Sequence, residues 1–469
     1  MMQKRPFHSL WFLRLAAVLV LIALAFGLPK PSAFALSLEE ETQMGQEFVA
    51  QIKRHFNLAG DDFANQFIND LGHYLIRPLE VTYFPFRFYI IKDNTLNAFA
   101  GPGGHIFIFS GLIDVMDGID ELSAVISHEI GHISARHLAH RIEQGKKIGI
   151  GTMAGILAGV LLGGGPLAGA LITGSMAAGL QAQLHYSRSD ERQADQLGYK
   201  YMTAAGFDPA GMITTLRKIE RGSLLGTDKM PPYLMTHPSG PERMSNLDTM
   251  LSQYSPGPAP KEAAYFSALF PFFKTTVLAI SLDPNEAEER FKGTLKKGPD
   301  SYLSHYGLGV VFLKKLEYPL AIHHLKKALE EKPGFVPILT KLGEAYQKNG
   351  QDDKALSLLE EAVKLNDRDR TALFHLGLCY ERSGAYQKAI HLYERVASFH
   401  PVKPELYYHL GLCYGKQGRL ALAHYNLGLY SQVLGQKEKA RFHFQKAEEL
   451  SGRDPRLRKK IHEAMEPLS

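Results

Sequence analysis

The sequence predicts a multidomain chain in which a mainly α-helical α+β domain precedes an all-α solenoid of helical hairpins. Its 469 residues exceed one ordinary domain. A proline-rich break, "SPGPAPK", occupies 255–261, and beyond it residues recur with a period of 34. The composition is that of a globular protein, with 45% hydrophobic and 22% charged residues. The net charge of +5, without basic patches interleaved with aromatics, argues against nucleic acid as a partner.

The first 35 residues have the organisation of an export signal. Basic residues precede an uncharged run at 15–28, and Ala33 and Ala35 form a small-x-small cleavage site. We therefore expect cleavage after Ala35. An uncleaved anchor is the alternative, although the run is shorter than the roughly 20 apolar residues needed to span a bilayer. The predicted division is a signal at 1–35, a first domain at 36–254, a linker at 255–261 and a repeat domain at 262–469.

The first domain opens with helical patterns and then changes to strands. "FRFYIIKD" and "HIFIFSG" are predicted as strands on either side of the turn-rich "NAFAGPGG". From Glu121 onward the pattern is helical again.

The stretch "SHEIGHISARH", at 127–137, is the first candidate for chemistry. His128 and His132 are four residues apart, so they share one face of a helix and can bind one Zn²⁺. Glu129 is rotated away from that direction and can act as a general base toward a water molecule. His137 and His140 do not have the spacing of a third histidine ligand, and we expect them to be surface residues.

A carboxylate from a later helix is the remaining candidate for a third ligand. In "YSRSDERQADQLGYKYM", Glu191 and Asp195 lie four residues apart on a face shared with Ala194 and Gly198. The small residues would let this helix approach the H-E-x-x-H helix closely. Glu191 would then bind the metal and Asp195 could orient a ligand imidazole. An ordinary charged helix face is the alternative interpretation.

Three motifs in order resemble the gluzincin peptidases of the CAAX prenyl protease and HtpX type. They are H-E-x-x-H, Y-S-R-x-x-E-x-x-A-D and H-P-x-x-x-x-R, and "NAFAGPGGHIFIFSGL" resembles that family's strand beside the active-site cleft. The resemblance covers roughly residues 40–250 and implies a zincin-type α+β metallopeptidase domain. It also implies one Zn²⁺ per chain, held by His128, His132 and Glu191, with Glu129 as general base.

The resemblance further implies that His237 and Arg243 lie near the site. His237 could stabilise an oxyanion during catalysis. It could instead occupy the fourth zinc position and keep the enzyme latent. The sequence leaves both roles open.

Residues 148–180 interrupt the otherwise soluble pattern, because they carry no charge and are rich in glycine and alanine. "GGGP" divides the segment into halves that are too short to span a bilayer alone. We interpret it as a buried or mobile helical hairpin near the active site, with peripheral membrane contact as the alternative.

The repeat domain has columns of residues in one 34-residue register, in the pattern L-G-x-x-Y followed by a small residue. This pattern resembles the tetratricopeptide repeat, a helical hairpin that stacks into a solenoid. The small residues are expected where the two helices of a hairpin cross closely. Cys379 and Cys413 occupy equivalent positions of adjacent repeats and are predicted to be packing residues. The columns are Leu308-Gly309, Leu342-Gly343, Leu376-Gly377 and Leu410-Gly411; Phe312, Tyr346, Tyr380 and Tyr414; and Ala321, Ala355, Ala389 and Ala423.

A basic ladder ends the first helix of each repeat: Lys314, Lys348, Arg382 and Lys416. One hypothesis is that the ladder holds acidic groups or the carboxyl terminus of a client or partner. The alternative is that these cations complement helix C-terminal dipoles.

Together these features predict an exported zinc metalloendopeptidase. The order of signal, peptidase and repeats resembles that of periplasmic proteases that assist outer-membrane β-barrel assembly. This resemblance implies a periplasmic location, in part at the outer membrane, and unfolded or stalled envelope proteins as substrates. Substrate is expected to lie extended along "HIFIFSG", and the repeats to bind clients or the outer-membrane assembly machinery. The alternative is an assembly factor or holdase with a largely latent zinc site.

Overall fold

The computed structural model describes residues 36–144, 186–225, 231–295, 301–399, 402–452 and 454–468. The predicted export signal at 1–35 and the whole uncharged segment 148–180 lie outside these residues. Both interpretations therefore stay predictions.

The first domain begins with two helices that enclose a small sheet. Helix α1 spans Leu38–His55 and helix α2 spans Asp62–Leu75. Both begin at a capping side chain, Ser37 for α1 and Asp61 for α2, which accepts a hydrogen bond from a backbone N–H of the first turn. The strands are β1 (Arg87–Ile91), β2 (Ala98–Gly101) and β3 (His105–Phe109).

The sheet has the order β1-β3-β2 in the described residues, with β1 parallel and β2 antiparallel to β3. β3 is buried along its whole length because its two faces enter different cores. Ile106 and Ile108 pack on the side of α2, whereas Phe107 and Phe109 pack against α1. This explains why "HIFIF" is a continuous apolar run and does not alternate with polar residues.

Strand order corrects two expectations. The segment "NAFAGPGG", predicted as turns, contains strand β2. β3, along which substrate was expected to lie, is the central strand, paired on both sides, and β2 lies at the edge beside the H-E-x-x-H helix. Two apolar strands predict a sheet but not the order of its strands.

Beyond β3 the described residues of the first domain are mainly helical, as predicted from Glu121 onward. The helices are α3 (Ser110–Val115), α4 (Ile119–Ser134), α5 (His137–Gln144), α6 (Arg188–Ala204), α7 (Ala210–Leu225), α8 (Pro232–Thr236) and α9 (Pro241–Ser252).

The second part of the chain is an array of antiparallel helical hairpins. Its helices are α10 (Lys261–Ser281), α11 (Pro284–Leu295), α12 (Ser301–Lys314), α13 (Tyr318–Glu331), α14 (Val336–Lys348), α15 (Asp352–Leu365), α16 (Arg370–Arg382), α17 (Tyr386–Ala397), α18 (Pro404–Lys416), α19 (Leu420–Val433), α20 (Lys437–Leu450) and α21 (Pro455–Met465).

The columns of small residues lie where the helices of a hairpin cross, as predicted. A Cβ added at Gly309 would lie 2.4 Å from the side chain of Leu325, and one at Gly343 would lie 2.6 Å from Leu359. Cys379 and Cys413 are buried free thiols, which confirms their prediction as packing residues.

Turn geometry follows the same period. Gly350, Gly384 and Gly418 end the first helices with φ of 74°, 80° and 72°. This is the left-handed region, which a residue without a Cβ adopts at low cost. One repeat earlier, Leu316 occupies the position equivalent to these glycines. Its φ is 61° and its side chain is exposed.

The side chains of the basic ladder mostly bind other groups of the same chain. The ammonium group of Lys314 donates to the carbonyl oxygens of Ile280 and Leu282 at the end of α10. Arg382 donates to the carbonyl oxygen of Gln347 at the end of α14, and Lys348 pairs with Glu344 at 2.9 Å. These contacts favour the alternative in which the cations complement helix C-terminal ends, and the client-binding ladder stays a prediction.

Helix α10 packs into both parts of the chain. Phe273 stacks on Phe67 of α2, with ring centroids 4.3 Å apart, whereas the neighbouring Phe272 stacks on Phe335 of the repeats at 4.4 Å. By length and composition α10 is the one described helix that could cross a membrane, but 61% of its apolar window is buried inside the protein.

Charged groups add to this contact between the two parts. The buried ammonium of Lys341, on α14, lies 2.7 Å from Asp61 at the start of α2 and 3.0 Å from Glu344. Lys403 pairs with Asp62 at 2.7 Å.

Candidate metal centre

The H-E-x-x-H residues lie on α4, a helix enclosed by the first domain. Its residues from Glu121 to Ile133 are all buried, including both histidines and the glutamate. Polar side chains are rarely left in such a place without partners, because their desolvation is costly. The buried context therefore argues against an ordinary solvated helix face.

Helix α6 crosses α4 at close range, as the small residues predicted. A Cβ added at Gly131 would lie 2.8 Å from the carbonyl oxygen of Ala194, and one at Gly198 would lie 3.1 Å from the amide nitrogen of His128. Ser187 caps α6 in a capping box with Asp190, which places Glu191 in the first turn, facing α4.

Four side chains bring one donor atom each to a common point. His128, His132, Glu191 and His237 are all buried, and their donor atoms lie within 4.8 Å of one another. The Nε2 atoms of His128 and His132 are 3.0 Å apart. Oε1 of Glu191 is 3.3 Å from Nε2 of His132 and 3.0 Å from Nδ1 of His237. Nδ1 of His237 is 3.3 Å from Nε2 of His128.

The distances between these donor atoms fit a tetrahedrally coordinated metal ion. Ligands about 2.0–2.1 Å from one Zn²⁺ at tetrahedral angles are about 3.3 Å from each other. The donor set, imidazole nitrogens and a carboxylate oxygen, is also one that zinc prefers. The residues present therefore fit a zinc ion.

A second layer of charge surrounds the donors. Asp195 accepts a hydrogen bond from Nδ1 of His128 at 2.9 Å, which leaves Nε2 of that ring for a metal. Arg243 binds Asp195 through two nitrogens, each at 2.8 Å, and its third nitrogen lies 2.5 Å from Glu191. The guanidinium thus faces the two carboxylates.

The pKa values of the cluster reflect these partners. Burial alone would lower the pKa of His128, but Asp195 and Glu191 outweigh it and raise that pKa to about 9. Burial lowers the pKa of His132 well below its usual value. Burial alone would raise the pKa of Glu191, but the charge of Arg243, helped by the histidines, holds it well below its usual range. The carboxylate is therefore ionised at neutral pH.

Glu129 differs from the other carboxylates. Its oxygens have no hydrogen-bond partner among the described side chains that meets ordinary geometry, and Oε1 lies 3.5 Å from Nε2 of His237. Burial raises its pKa above the usual glutamate value. A general base is most effective when its pKa is near the working pH, so this rise makes Glu129 a better base near neutral pH.

His137 lies in a different place from the one expected. It is buried, and its Nδ1 lies 3.0 Å from Nδ1 of His132, while its Nε2 lies 3.0 Å from Oε1 of Gln193. The prediction of a surface residue was wrong because the chain bends between α4 and α5 and returns this side chain to the site. His140 is exposed, as expected.

Two tyrosines complete the surroundings of the metal donors, and the sequence motifs predict no role for either of them. The ring of Tyr186 stacks on His132 with centroids 3.8 Å apart, and Tyr233 stacks on His237 at 4.6 Å. Each tyrosine lies a few residues before a predicted site residue, Glu191 or His237. This closeness in sequence is the one signal from which they could have been predicted.

Comparisons with known proteins agree with this arrangement. The model of peptidase family M48 matches residues 62–251, and the tetratricopeptide repeat model matches 281–334 and 340–404. The beta-barrel assembly-enhancing protease of Yersinia pestis is 30% identical over 341 residues, covering 71% of this chain and 68% of that protein. Its Escherichia coli K12 counterpart is 29% identical over 307 residues, covering 64% and 61%.

Among solved structures, the chain is similar to YrrB, described as a TPR protein with an unusual peptide-binding site. The match has 23% identity and a TM-score of 0.28, and it covers 42% of this chain and 91% of that one. The chain spans about two thirds of the length of the two curated relatives. From the matched motifs and this relationship, the chain belongs to peptidase family M48 and is a metallopeptidase that carries tetratricopeptide repeats.

Proposed function

We propose that the protein is an exported, zinc-dependent endopeptidase that cleaves unfolded or stalled envelope proteins, including those of the outer membrane. The observation that carries the proposal is the convergence of His128, His132 and Glu191 on one point beside the buried carboxylate of Glu129. A purely structural zinc site has no use for an unpartnered carboxylate next to its ligands.

In this proposal His128, His132 and Glu191 hold the ion, and Asp195 keeps the ring of His128 oriented. A bound zinc ion would polarise the scissile carbonyl and make a water molecule acidic enough to attack it. Glu129 accepts a proton from the attacking water and then gives it to the leaving amine. Arg243 balances the charge of Glu191 and Asp195, so its contribution is to position the ligand carboxylate.

His237 supports a second candidate function, an assembly factor whose protease is largely latent. Nδ1 of His237 lies among the metal donors, where it would occupy the fourth position. Its Nε2 lies 3.5 Å from Glu129, where it would block the path of water to the base. Displacement of the short helix α8 would open the site and leave His237 able to stabilise an oxyanion.

Substrate binding is proposed at the edge strand β2, which replaces the expected β3. β2 contacts α4 and is buried along its length, so its unpaired edge would have to be uncovered before an extended chain could pair with it irrespective of sequence. Such pairing requires an unfolded segment. A reduced and alkylated protein should therefore be cut much faster than its folded form, whereas equal rates would contradict this mode of binding.

The proposed function is tested with purified enzyme, Glu129→Gln and His237→Ala, by measuring bound zinc and digestion of an unfolded protein. About one zinc per chain, with cleavage lost in Glu129→Gln, is the expected result. Cleavage that appears or accelerates in His237→Ala would favour the latent form. Cleavage by Glu129→Gln at the rate of the unmodified enzyme would contradict the mechanism.

Export and partners are tested separately. Amino-terminal sequencing of the protein from the envelope fraction should begin at Leu36 if the signal is cleaved after Ala35. The repeats are proposed to bind clients or the outer-membrane assembly machinery. Crosslinking in cells that carry substitutions in the repeats would test that proposal.

A further inference from the structure

We propose that His137 and Gln193 form a relay that fixes the tautomer of His132, so that His137 is a positioning residue of the metal centre. The inference rests on the proposed role of His132 as a zinc ligand and extends it to two residues outside the H-E-x-x-H motif.

With Oε1 of Gln193 as the acceptor at one end, the contacts favour one arrangement of protons along the relay. Two imidazole Nδ1 atoms 3.0 Å apart, those of His132 and His137, can bond when one donates and the other accepts. Oε1 of Gln193 accepts from Nε2 of His137 at 3.0 Å, so the proton of the neutral His137 ring resides on Nε2. Nδ1 of His137 is then the acceptor and Nδ1 of His132 the donor. The lone pair of His132 is therefore on Nε2, which faces the other metal donors.

The two ligand histidines thus have different partners. His128 donates to the carboxylate of Asp195, whereas His132 donates to a neutral ring. An outer partner that accepts from a ligand imidazole both orients the ring and selects the nitrogen that binds. A neutral partner does this without adding a further negative charge beside Glu191 and Asp195.

The backbone is shaped to place His137 there. On a straight helix a residue five positions after His132 would point about 140° away from it. Instead α4 ends at Ser134, and Arg136 adopts φ of 53°, in the left-handed region, before α5 begins at His137. The guanidinium of Arg136 donates to Glu41 and to the carbonyl oxygen of Leu36, each at 2.8 Å. These bonds hold a bend that non-glycine residues rarely adopt.

A matched pair of variants tests the relay. His137→Asn places an amide oxygen near the position of Nδ1 and keeps an acceptor for His132, whereas His137→Leu has the same branching with a methyl group there. Zinc affinity of the purified enzyme is measured by competition with a chelator. We expect His137→Leu to bind zinc about 10- to 100-fold more weakly, and His137→Asn to remain within about threefold. Equal affinities for the two variants would overturn the proposal, because a role in packing alone distinguishes them little.

The exposed end of the relay offers a variant with little risk to folding. Gln193 is at the surface, so Gln193→Met removes the acceptor and Gln193→Glu retains one. We expect a several-fold loss of zinc affinity for Gln193→Met and a smaller change for Gln193→Glu. Unchanged affinity in Gln193→Met would remove Gln193 from the relay.

A spectroscopic measurement separates this inference from the proposed function. In the metal-free enzyme, where the carboxylate of Glu191 lies 3.3 Å from Nε2 of His132 and competes for the proton, ¹⁵N spectra of labelled histidine should show a larger Nδ1-protonated fraction of His132 in the unmodified protein than in His137→Leu. A protein that binds no zinc but shows this difference would contradict the proposed function and leave the relay intact. An Nδ1-protonated fraction of His132 that is the same in the unmodified protein and in His137→Leu would overturn the relay.

Discussion

Replacement of Gly131 by alanine is expected to weaken the metal centre by pushing apart α4 and α6, the two helices that carry His128, His132 and Glu191. The new Cβ would lie 2.8 Å from the carbonyl oxygen of Ala194 and 3.1 Å from its Cα. Both atoms belong to the backbone of α6, so no side chain can rotate to make room. Nonbonded carbon and oxygen atoms do not remain this close, and α4 and α6 must separate by about 0.5 Å.

The magnitude follows from the position of Glu191, three residues before Ala194. Its oxygens lie 3.3 and 3.5 Å from the ligand nitrogens of His132 and His128, near the spacing of a tetrahedral zinc site. Since a misplacement of about 1 Å can cost about 100-fold at a preorganised site, a shift of half that size should weaken zinc binding about tenfold. Overpacking of this kind also lowers the free energy of unfolding by about 1–3 kcal/mol.

The assay compares Gly131→Ala with Gly60→Ala, an equal chemical change at a glycine whose added Cβ meets nothing within 4 Å. Zinc affinity is measured by chelator competition, and the free energy of unfolding of the metal-free protein by urea titration. Gly60→Ala should stay within about 0.5 kcal/mol of the original protein. If Gly131→Ala retains its zinc affinity and its stability, the helix crossing does not set the position of Glu191.

Three further changes test other parts of the structure. Lys341→Met should lower the free energy of unfolding by about 3 kcal/mol, because it removes the buried cation that Asp61 and Glu344 share; a urea titration checks this, and adding Asp61→Asn should recover part of the loss. Leu316→Gly should raise the free energy of unfolding by up to about 1 kcal/mol, since it relieves a left-handed backbone, while Gly350→Leu should lower it. Burial, helped by nearby lysines, lowers the pKa of His375 to about 4. The unfolded chain, with a pKa of about 6.5, therefore binds a proton more readily than the folded protein. Stability from the neutral ring is complete above about pH 6.5 and falls by about 3 kcal/mol as the pH drops toward 4. His375→Gln should therefore flatten the dependence of unfolding free energy on pH between these values; an unchanged slope would show that this ring does not remain neutral.

Much of the fold could be predicted because its signals are periodic. The 34-residue columns place glycines and alanines where helices cross, and Gly309 and Gly343 occupy those positions in the structure. The close approach of α6 to α4 was likewise predicted from Gly198 and Ala194, because small side chains four residues apart lie on one helix face. Both inferences depend on spacing within one element.

The features that were missed depend on where the chain turns. His137 belongs to the site because Arg136 has a positive φ, which no local propensity indicates for arginine. The position of β3 at the centre of the sheet depends on pairing with two other segments. Tyr186 and Tyr233 meet around the histidines from positions 47 residues apart in the sequence, so spacing could not have brought them together.

The neighbouring phenylalanines of α10 have a mechanical consequence. Phe272 is anchored in the repeats and Phe273 in the core that contains α4, so a load on the repeat array is transmitted to the enzyme through one helix. The two parts should consequently melt in a single calorimetric transition. A fragment that stops at Tyr254 would lack one wall of its own interior. Tension from a tethered protein would thus reach the core around the helix that carries the H-E-x-x-H residues.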